Sequence, residues 1–573
     1  MRFTSRGVSW RTSIASLACV LISTTGSTLS GAADLSAPGS VPPRAELHPS
    51  FDAIFARSDQ PVKTWVFFRD KGYPQEAARK TALREIESTY LPRTIERRRQ
   101  RGTRPTLFDE IDLPVAERYI KTVTETGVKL HIESRWLNAI SVYATEKQVK
   151  LMARLPFVRS LEPVRKGRNR LPDPDPPVGL AGRDPFTKAL AGFYGSAEDQ
   201  LAQINLIALH NAGMTGAGVV IGILDTGFKL THNAFNDPGH VLNVVAEKDF
   251  VNNDGNTANE LGDDPSQHNH GTYILGTLGA YLPNQYVGAA YDASFILCKT
   301  EDVTQEVIAE EDNFVAGLEF IELNGGDVVT SSLGYIDWYT QSDLDGLTAI
   351  TTIAVNIAIS QGLICCNAAG NSGHDSDPAT SNLIAPADAF GVITCGAADS
   401  AGVIAGFSSD GPTWALSPQD RRIKPELLAR GVSTQTVSPT NDANFVGVSG
   451  TSFSTPLIAG AVACLAQTHP SWTVSQMRNF LFQSADDFVA NGEADPLFIR
   501  GYGMVNAYRA ALIPCPSDTD FNGMVNVTDL LQMLGNWGTC LAGPNGCPGD
   551  SDFSGEVNVT DLLALLASWG GCP

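Results

Sequence analysis

The sequence predicts an α/β protein, in which a parallel sheet with helices on both faces follows a small α+β domain and precedes a small helical module. Three observations lead to this prediction. Wholly apolar runs such as GVVIGILD and GVITCGAA, separated by segments of helix length, are typical of parallel strands buried on both faces. Strand-like and helix-like runs alternate earlier in the chain, and its last part is an internal repeat. A chain of 573 residues, 43% of them hydrophobic, is long enough for several domains.

The first 33 residues have the pattern of a removable secretory signal. Arginines at positions 2, 6 and 11 precede an apolar stretch over 14–22, and small residues follow at 31–33. A membrane anchor is the alternative, but the stretch is well short of the ~20 residues that span a bilayer. We therefore expect a secreted or cell-surface protein whose mature chain has no membrane span.

Charge is distributed unevenly along the chain. Residues 44–170 contain 26 Lys+Arg and 16 Asp+Glu, whereas the chain from 171 onward contains 12 and 45. This opposition favours association between the two parts and argues against nucleic acid as a partner. The alternative is that the acidic residues only keep a secreted protein soluble.

Composition divides the rest of the chain into four zones. Residues 45–168 alternate strand-like runs such as TWVFF with helical ones such as PQEAARKTALREIEST, which predicts the small α+β domain. Residues 169–194 are rich in Pro, Gly and Asp and are interpreted as an exposed linker. The α/β domain occupies 195–512, and the repeat occupies 514–573.

Three short motifs in the α/β domain carry reactive side chains. Asp225 ends the strand GVVIGILD, His270 stands in NHGTYIL, and Ser452 stands in SGTSFSTP where a helix begins. A serine hydroxyl needs a base to take its proton, and the base needs a third group that fixes its tautomer. Free N–H groups at a helix start also stabilise the negative charge that develops on an attacked carbonyl. The three motifs therefore predict acyl-transfer chemistry.

The order of these motifs, DTG, HGT and GTSFSTP, resembles that of the subtilisin-like serine peptidases. The resemblance implies that Asp225 orients His270, that His270 is general base and then acid, and that Ser452 forms the acyl-enzyme. AAGNSG resembles the oxyanion-hole segment, which implies that Asn371 donates to the oxyanion.

SSLGY resembles the strand that pairs with an extended substrate, and this implies a backbone-binding role for Ser332, Leu333 and Gly334. Protein or peptide substrates and the absence of a catalytic metal follow from the same resemblance. The sedolisin relatives replace the histidine with an acid, so HGT argues against them.

Two positions depart from the family pattern. Tyr273 stands where the family more often has a second histidine, and Phe453 stands where methionine or another medium apolar residue is common. His268 is a rival candidate for the base, but only His270 precedes Gly-Thr. The side-chain specificity stays open.

The segment SRWLNAISVYATEKQVKLMARLPFVRSLEPV resembles the inhibitory propeptides of these peptidases. The resemblance implies a ferredoxin-like domain over 45–168 that templates folding and blocks the cleft until it is cut, so the propeptide is an expected partner. The alternative is a permanent N-terminal domain without an inhibitory role.

The tail repeats at a spacing of 32 residues, from Cys515 to Cys547. Oxygen-bearing side chains at loop positions 1, 3, 5 and 12 around a glycine at position 6 predict two EF-hand-like calcium loops. The predicted ligands are Asp518, Asp520, Asn522 and Asp529 in one loop and Asp550, Asp552, Ser554 and Asp561 in the other. The pattern resembles dockerin modules, which implies a cohesin-like receptor. A calcium-stapled appendage without a partner is the alternative, and a further calcium site is an open prediction for the acidic stretch 249–264.

The cysteines agree with export. In the tail the natural pairing is Cys515 with Cys540 and Cys547 with Cys572, although three connectivities are allowed. The other mature cysteines lie in apolar runs and are predicted to be buried thiols; they are Cys298, Cys365, Cys366, Cys395 and Cys464.

Two classes of function remain in play. The first is a secreted serine endopeptidase made as an autoprocessed zymogen. The second is a catalytically inactive, surface-attached adhesion protein that acts through its calcium-loop tail. The intact Asp, His and Ser set, together with Asn371, favours the first.

Overall fold

The computed structural model of the chain describes residues 44–164, 192–303, 311–336, 339–540, 548–552 and 554–572. The predicted signal and most of the predicted linker lie outside these residues. The description below concerns the compact unit that begins at Ala45. None of the helices in the described ranges combines the length and the apolar character that a bilayer crossing needs.

The N-terminal domain is built from a five-stranded sheet and short helices. Its strands are β1 (Glu46–Leu47), β2 (Val62–Phe68), β3 (Lys129–Ser134), β4 (Ala139–Ala144) and β5 (Val158–Pro163). Its helices are α1 (Ser50–Phe55), α2 (Glu76–Glu87), α3 (Pro92–Arg101), α4 (Glu117–Thr124) and α5 (Glu146–Met152), with a 3₁₀ turn at Glu110–Asp112. The strand order is β1-β5-β2-β4-β3, in which only the β1–β5 pair is parallel.

Alternation along β2 divides its side chains between two cores. Val66 and Phe68 pack in the domain's own core with residues of α4 and α5. Trp65 and Phe67 point to the opposite face and join a core of the large domain. The sheet of the N-terminal domain is therefore buried on both faces, and one of these faces is a contact with the large domain.

The large domain is built on a parallel sheet. Its strands are β6 (Val220–Asp225), β7 (Asn236–Asp237), β8 (His240–Val241), β9 (Asn243–Asp249), β10 (Tyr281–Leu282), β11 (Tyr286–Val287), β12 (Ser294–Lys299), β13 (Val328–Ser331), β14 (Ile364–Ala368), β15 (Ile393–Ala398), β16 (Leu427–Arg430), β17 (Thr434–Val437) and β18 (Phe445–Val448). Seven of these form the sheet in the order β16-β15-β14-β13-β6-β12-β9, with every neighbouring pair parallel. The other six form three antiparallel pairs.

Helices cover both faces of this sheet, which confirms the predicted fold class. They are α6 (Glu198–Gln203), α7 (Leu206–Asn211), α8 (Asn269–Gly279), α9 (Glu311–Leu323), α10 (Ile350–Ser360), α11 (Thr451–Thr468), α12 (Val474–Ser484), α13 (Asp486–Asn491) and α14 (Ala507–Leu512). Single 3₁₀ turns lie at Asn233–Phe235, Gln341–Asp343 and Pro418–Asp420. Helices α8 and α11 share one core with Ile221 and Ile223, and α9 and α10 share the other with Val220 and Leu224.

The residue just before the predicted start of the large domain packs against that domain. Tyr194, the last residue of the predicted linker, is buried and its hydroxyl lies 3.2 Å from His210 Nδ1. The five cysteines predicted to be thiols, from Cys298 to Cys464, are all free and buried.

The two repeats of the tail cross each other. The helices are α15 (Val527–Gly535) and α16 (Val559–Ala567), and the strands are β19 (Met524–Val525), β20 (Gly538–Thr539), β21 (Glu556–Val557) and β22 (Gly570–Gly571). Strand β19 pairs with β22, and β20 pairs with β21, so each repeat lends a strand to the other.

This crossing makes the expected disulfide pairing wrong. Cys515 is bonded to Cys572, and neither cysteine is bonded to the partner expected within its own repeat. Cys540 is also in a disulfide bond, and Cys547 lies outside the described residues. The β19–β22 pair brings the last cysteine of the second repeat to the first cysteine of the first, with 5.8 Å between the two Cα atoms. In the chain-entropy view, closing a loop of 57 residues restricts the unfolded tail by about 4 kcal/mol.

Strand β6, which ends at Asp225, depends on a glycine at its centre. A Cβ added at Gly222 would lie 2.5–2.6 Å from three side-chain atoms of the buried Ile321. Gly222→Ala should lower the free energy of unfolding by about 1–3 kcal/mol because the core is overpacked. Urea unfolding in a Ser452→Ala background measures this free energy. Gly406→Ala is the control, since an added Cβ there meets nothing within 4 Å; equal stability of the two variants would contradict the prediction.

Candidate active site

Two of the predicted site residues are in direct contact at the carboxyl edge of the sheet. Asp225 is the last residue of β6 and His270 is the second residue of α8. His270 Nδ1 lies 2.8 Å from Asp225 Oδ1 and 3.0 Å from Oδ2, and both side chains are buried. Asp225 Oδ1 also accepts a hydrogen bond from the backbone N–H of Thr226. The carboxylate is thus fixed, and it holds the imidazole with Nδ1 as the donor.

The residues after His270 explain the HGT motif. A Cβ on Gly271 would lie 2.2 Å from Gly227 O, so only glycine lets α8 approach the end of β6 this closely. Thr272 Oγ1 accepts from the backbone N–H of Lys229 and donates to His268 O. Both residues therefore fix the position of the histidine.

The rival base, His268, lies outside this contact. Its backbone caps the start of α8, and its N–H donates to Asn259 Oδ1. Burial and the nearby Lys229 ammonium lower the pKa of His268. The Asp225 carboxylate contacts His270, which is the histidine that the sequence favours.

Ser452 is the second residue of α11, after Gly450, whose φ of +146° suits a glycine. Its Oγ donates to Ser332 O at 3.3 Å, and Ser332 Oγ donates to Ser452 O at 2.8 Å. His270 Nε2 is buried and has no hydrogen-bond partner among the described residues. The ring of Phe453, the residue after Ser452, lies 5.8 Å from the His270 ring, and no hydrogen bond joins Ser452 Oγ to His270 Nε2 in this conformation.

Asn371 lies beside the start of α11. Its Oδ1 accepts from the backbone N–H of Thr451 at 2.9 Å and from Thr451 Oγ1 at 3.0 Å. These bonds commit the amide oxygen and hold the Asn371 amide at the start of α11, with Nδ2 as its donor group. A donor in this position can stabilise an oxyanion that forms when Ser452 attacks a carbonyl.

The predicted substrate strand continues β13. Leu333 is buried in the core, and its carbonyl accepts from Asn367 Nδ2. The backbone groups of Gly334 make no hydrogen bond within the part of the chain that the structure describes. Tyr335 exchanges two backbone hydrogen bonds with Ala385, which fixes the end of this strand.

Ile384 is a residue at the site that sequence reasoning missed. A Cβ added at Gly334 would lie 1.9 Å from Ile384 Cδ1, and one added at Gly370 would lie 3.3 Å from Ile384 Cγ2. The side chain of Ile384 therefore lies between the predicted substrate strand and the segment that carries Asn371. Ile384 lies 50 residues after Gly334 in the sequence, so no local pattern connects the two.

The tail loops gather the predicted carboxylates. Carboxylate oxygens of Asp518, Asp520 and Asp529 lie within 4.8 Å of one another, and so do those of Asp550, Asp552 and Asp561. The glycines at loop position 6, Gly523 and Gly555, have φ of +81° and +89°. Asn522 and Ser554 stand in the loops, where Asn522 Oδ1 accepts from Met524 N and Ser554 Oγ donates to Glu556 O.

Crowding of these carboxylates has an electrostatic consequence. Burial, supported by the charges of Asp529 and Asp520, raises the pKa of Asp518 to about 6. A set of oxygen ligands with excess negative charge suits a hard divalent cation such as Ca²⁺. The loops therefore fit the predicted ion.

The acidic stretch 249–264 is arranged around a lysine. Asp249, Asp254 and Glu260 place carboxylate oxygens within 4.8 Å of one another. The buried Lys299 Nζ lies 2.8 Å from both Asp249 Oδ2 and Asp263 Oδ2. An ammonium group thus already neutralises part of this cluster, and a calcium ion at this stretch stays a prediction.

Comparisons with known proteins agree with this architecture. Residues 216–503 match the model of the subtilase family, Peptidase S8, and residues 63–174 match that of the Peptidase S8 propeptide domain, Bacteroidota. Subtilisin E of Bacillus subtilis (strain 168) is 29% identical over 391 residues, which cover 68% of this chain and 84% of that protein. Subtilisin of Bacillus pumilus is 31% identical over 313 residues, which cover 54% of this chain and 97% of that protein.

A solved structure shows the same fold. The crystal structure of fervidolysin from Fervidobacterium pennivorans, a keratinolytic enzyme related to subtilisin, aligns with a TM-score of 0.53 at 20% identity. The alignment covers 83% of this chain and 64% of that one. The matched propeptide and peptidase segments, the parallel sheet and the relatives lead to one conclusion: the chain belongs to the subtilase family of serine endopeptidases and carries a propeptide domain of that family.

Proposed function

We propose that this protein is a secreted endopeptidase that hydrolyses peptide bonds in proteins through Asp225, His270 and Ser452, and that it is made as a zymogen that cuts its own linker. The observation that carries the proposal is the two-oxygen contact of Asp225 with His270 Nδ1, which leaves Nε2 as an acceptor without a partner among the residues that the structure describes. Such an imidazole is oriented to take a proton.

Each side chain then has one task. Rotation about the Cα–Cβ bond of Ser452 turns its hydroxyl from Ser332 O toward His270 Nε2, which accepts the proton while Oγ attacks the substrate carbonyl carbon. The carbonyl oxygen gains the negative charge and receives hydrogen bonds from Asn371 Nδ2 and from the first turn of α11. The imidazolium, stabilised by Asp225, protonates the leaving amine. Water repeats the sequence and releases the acyl group.

A second role for the chain is favoured by the tail. Its two helices expose matching apolar residues, which are Val527, Leu531, Leu534 and Trp537 on α15 and Val559, Leu563, Leu566 and Trp569 on α16 or directly after it, all between 47% and 64% exposed. Exposed apolar rows mark interaction surfaces. They support the proposal that the calcium-loaded tail attaches the peptidase to a cohesin-like receptor domain. An inactive adhesion protein would need only the tail. That alternative does not explain why Asp225 contacts His270.

Removal of the nucleophile tests the peptidase proposal. Ser452→Ala should abolish labelling by an active-site phosphonate and leave the chain at full length, because no acyl-enzyme can form. Asn371→Ala should still be labelled but should lose about 10²–10³ in kcat, since one oxyanion donor is gone. Mass spectrometry of the secreted chain and peptide hydrolysis measure these effects. Cleavage of the Ser452→Ala chain in a protease-deficient host would argue against self-cleavage. The N-terminal residue of the secreted chain shows whether the predicted signal is removed.

Ile384 provides a test of substrate preference. With the scissile carbonyl held at Ser452 and Asn371, the substrate side chain before the scissile bond would point between Gly334 and Gly370, where Ile384 lies. The wild type should therefore favour small residues there, and Ile384→Ala should raise kcat/KM for Phe over Ala by about 10-fold or more, because space for a ring becomes available. A peptide-library digest measures the ratio. Ile359→Ala, which shortens an isoleucine of the core instead, is the control, and an unchanged ratio in Ile384→Ala would contradict the assignment.

Calcium binding by the tail can be measured on the whole chain. In a Ser452→Ala background, titration calorimetry should show two tail sites that weaken when Asp529→Asn and Asp561→Asn are combined, because each loop loses a charged ligand at position 12. Glu556→Gln, which removes an exposed carboxylate of the second loop region, is the control. Unchanged binding in the double variant would remove the calcium-loop assignment.

A further inference from the structure

The propeptide contacts the peptidase domain at an end remote from the active site. Helix α11 carries Ser452 in its first turn and ends at Thr468, which is about 24 Å from Ser452 at 1.5 Å per residue. Helices α9 and α10 end at Leu323 and Ser360, just before strands β13 and β14 begin. The carboxyl ends of these helices therefore lie at the amino edge of the parallel sheet, opposite the edge that carries Asp225.

Carbonyl groups at this end are acceptors without intrahelical partners, and they form the negative ends of the helix dipoles. Helix α3 of the propeptide, with the sequence PRTIERRRQR, supplies the donors. Arg97 donates to Gln361 O, which follows α10, and to Gly326 O, which follows α9. Arg101 Nε donates to Pro470 O, which follows α11, at 3.1 Å. The arginines of one propeptide helix thus bind a cap carbonyl of α10 and loop carbonyls that closely follow α9 and α11.

A buried ion cluster adds to these contacts. Glu322 Oε1, on α9, lies 2.7 Å from Arg97 Nη2 and accepts from Arg98 Nε at 3.0 Å. Glu322 Oε2 accepts from Arg135 Nη2, on the propeptide's β3–β4 turn, at 2.8 Å. Arg97, Arg98 and Glu322 have at most 2% of their side chains exposed. Breaking such a pair on one side leaves a buried charge without its partner, which is strongly destabilising.

The backbone of the peptidase domain is shaped for this helix. Gly325 and Gly362, in the turns after α9 and α10, have φ of +81° and +88°. A Cβ on Gly325 would lie 2.4 Å from Arg93 Cδ, and one on Gly362 would lie 2.9 Å from Arg101 Cβ. Arg93 also donates to Gly218 O and pairs with Asp327, at the start of β6 and β13. Helix α3 therefore lies against a surface that side chains at these two glycines would block.

We propose that helix α3 is a second anchor, which keeps the propeptide bound to the peptidase domain after the linker has been cut. The anchor is distant from Ser452 and does not use the cleft, so it holds the inhibitor whether or not the cleft is occupied. The contacts of α3 therefore bind the propeptide independently of any segment that occupies the cleft. That this binding retains an inhibitor rests on the proposed peptidase function, but the binding itself does not.

Release of the cut propeptide tests the anchor directly. The recognition sequence of an unrelated endopeptidase is inserted within residues 165–191 of a full-length Ser452→Ala chain, and the chain is cut there. Size-exclusion chromatography with mass detection then measures the release of the propeptide over time. The propeptide should stay bound, and Arg97→Ala should speed its release by about 30-fold or more, because Glu322 loses a buried partner. Arg99→Ala is the matched control on the same helix. The Arg99 side chain is 55% exposed and pairs with Glu96 of the propeptide at 3.6 Å, so release should change by less than about threefold.

Arg93→Ala is the second variant, since Arg93 is 41% exposed and its loss leaves no arginine-sized gap in the core. It should release the propeptide several times faster than Arg99→Ala, and it decides the question if Arg97→Ala does not fold by circular dichroism. If the folded variants release the propeptide at the same rate as Arg99→Ala, the proposal that helix α3 is an anchor is wrong. The same variants are also made with Ser452 intact and assayed for peptide hydrolysis. If the peptidase proposal is wrong, none of these variants hydrolyses peptides, but the rates of propeptide release still test the anchor.

Discussion

The close approach of helix α8 to the end of strand β6 is the constraint on which the site depends. Gly271 faces Gly227 O at a distance that no side chain could occupy, and this contact brings the His270 ring onto the Asp225 carboxylate. The parallel sheet contributes the other half, because it brings the ends of β6 and β13 to one edge, where the start of α11 also lies. A shift of α8 by the radius of one methyl group would separate acid from imidazole while leaving the fold intact. The reactive geometry is therefore set by backbone packing rather than by the three side chains alone.

The opposite charges of the propeptide and the peptidase domain meet in a few buried contacts. Lys63 pairs with Asp312 at 2.8 Å, and the arginines of the propeptide converge on Glu322. Exposed pairs such as Arg79 with Glu76 lie within the propeptide and contribute little to its attachment. Net charge predicts that the two parts attract each other, but the specificity comes from desolvated pairs and from carbonyls at helix ends, which a count of charges does not reveal.

The sequence predicts the fold class well, since apolar parallel strands are a local signal. The structure joins Asp225 to His270 and Asn371 to Thr451, and the catalytic roles of these residues stay proposals. The disulfide pairing failed because proximity in sequence favoured Cys515 with Cys540, whereas the strands of the tail pair across the repeats. Ile384 and helix α3 gave no signal for the same reason: their partners are distant in sequence, and only the folded chain brings them together.

The Cys515–Cys572 bond gives the tail a mechanical property. The bond joins the residue at which the tail begins to the end of the second repeat, so a pull on the two ends of the tail cannot draw the repeats between them into an extended chain. The covalent link thus limits how far the tail can be stretched.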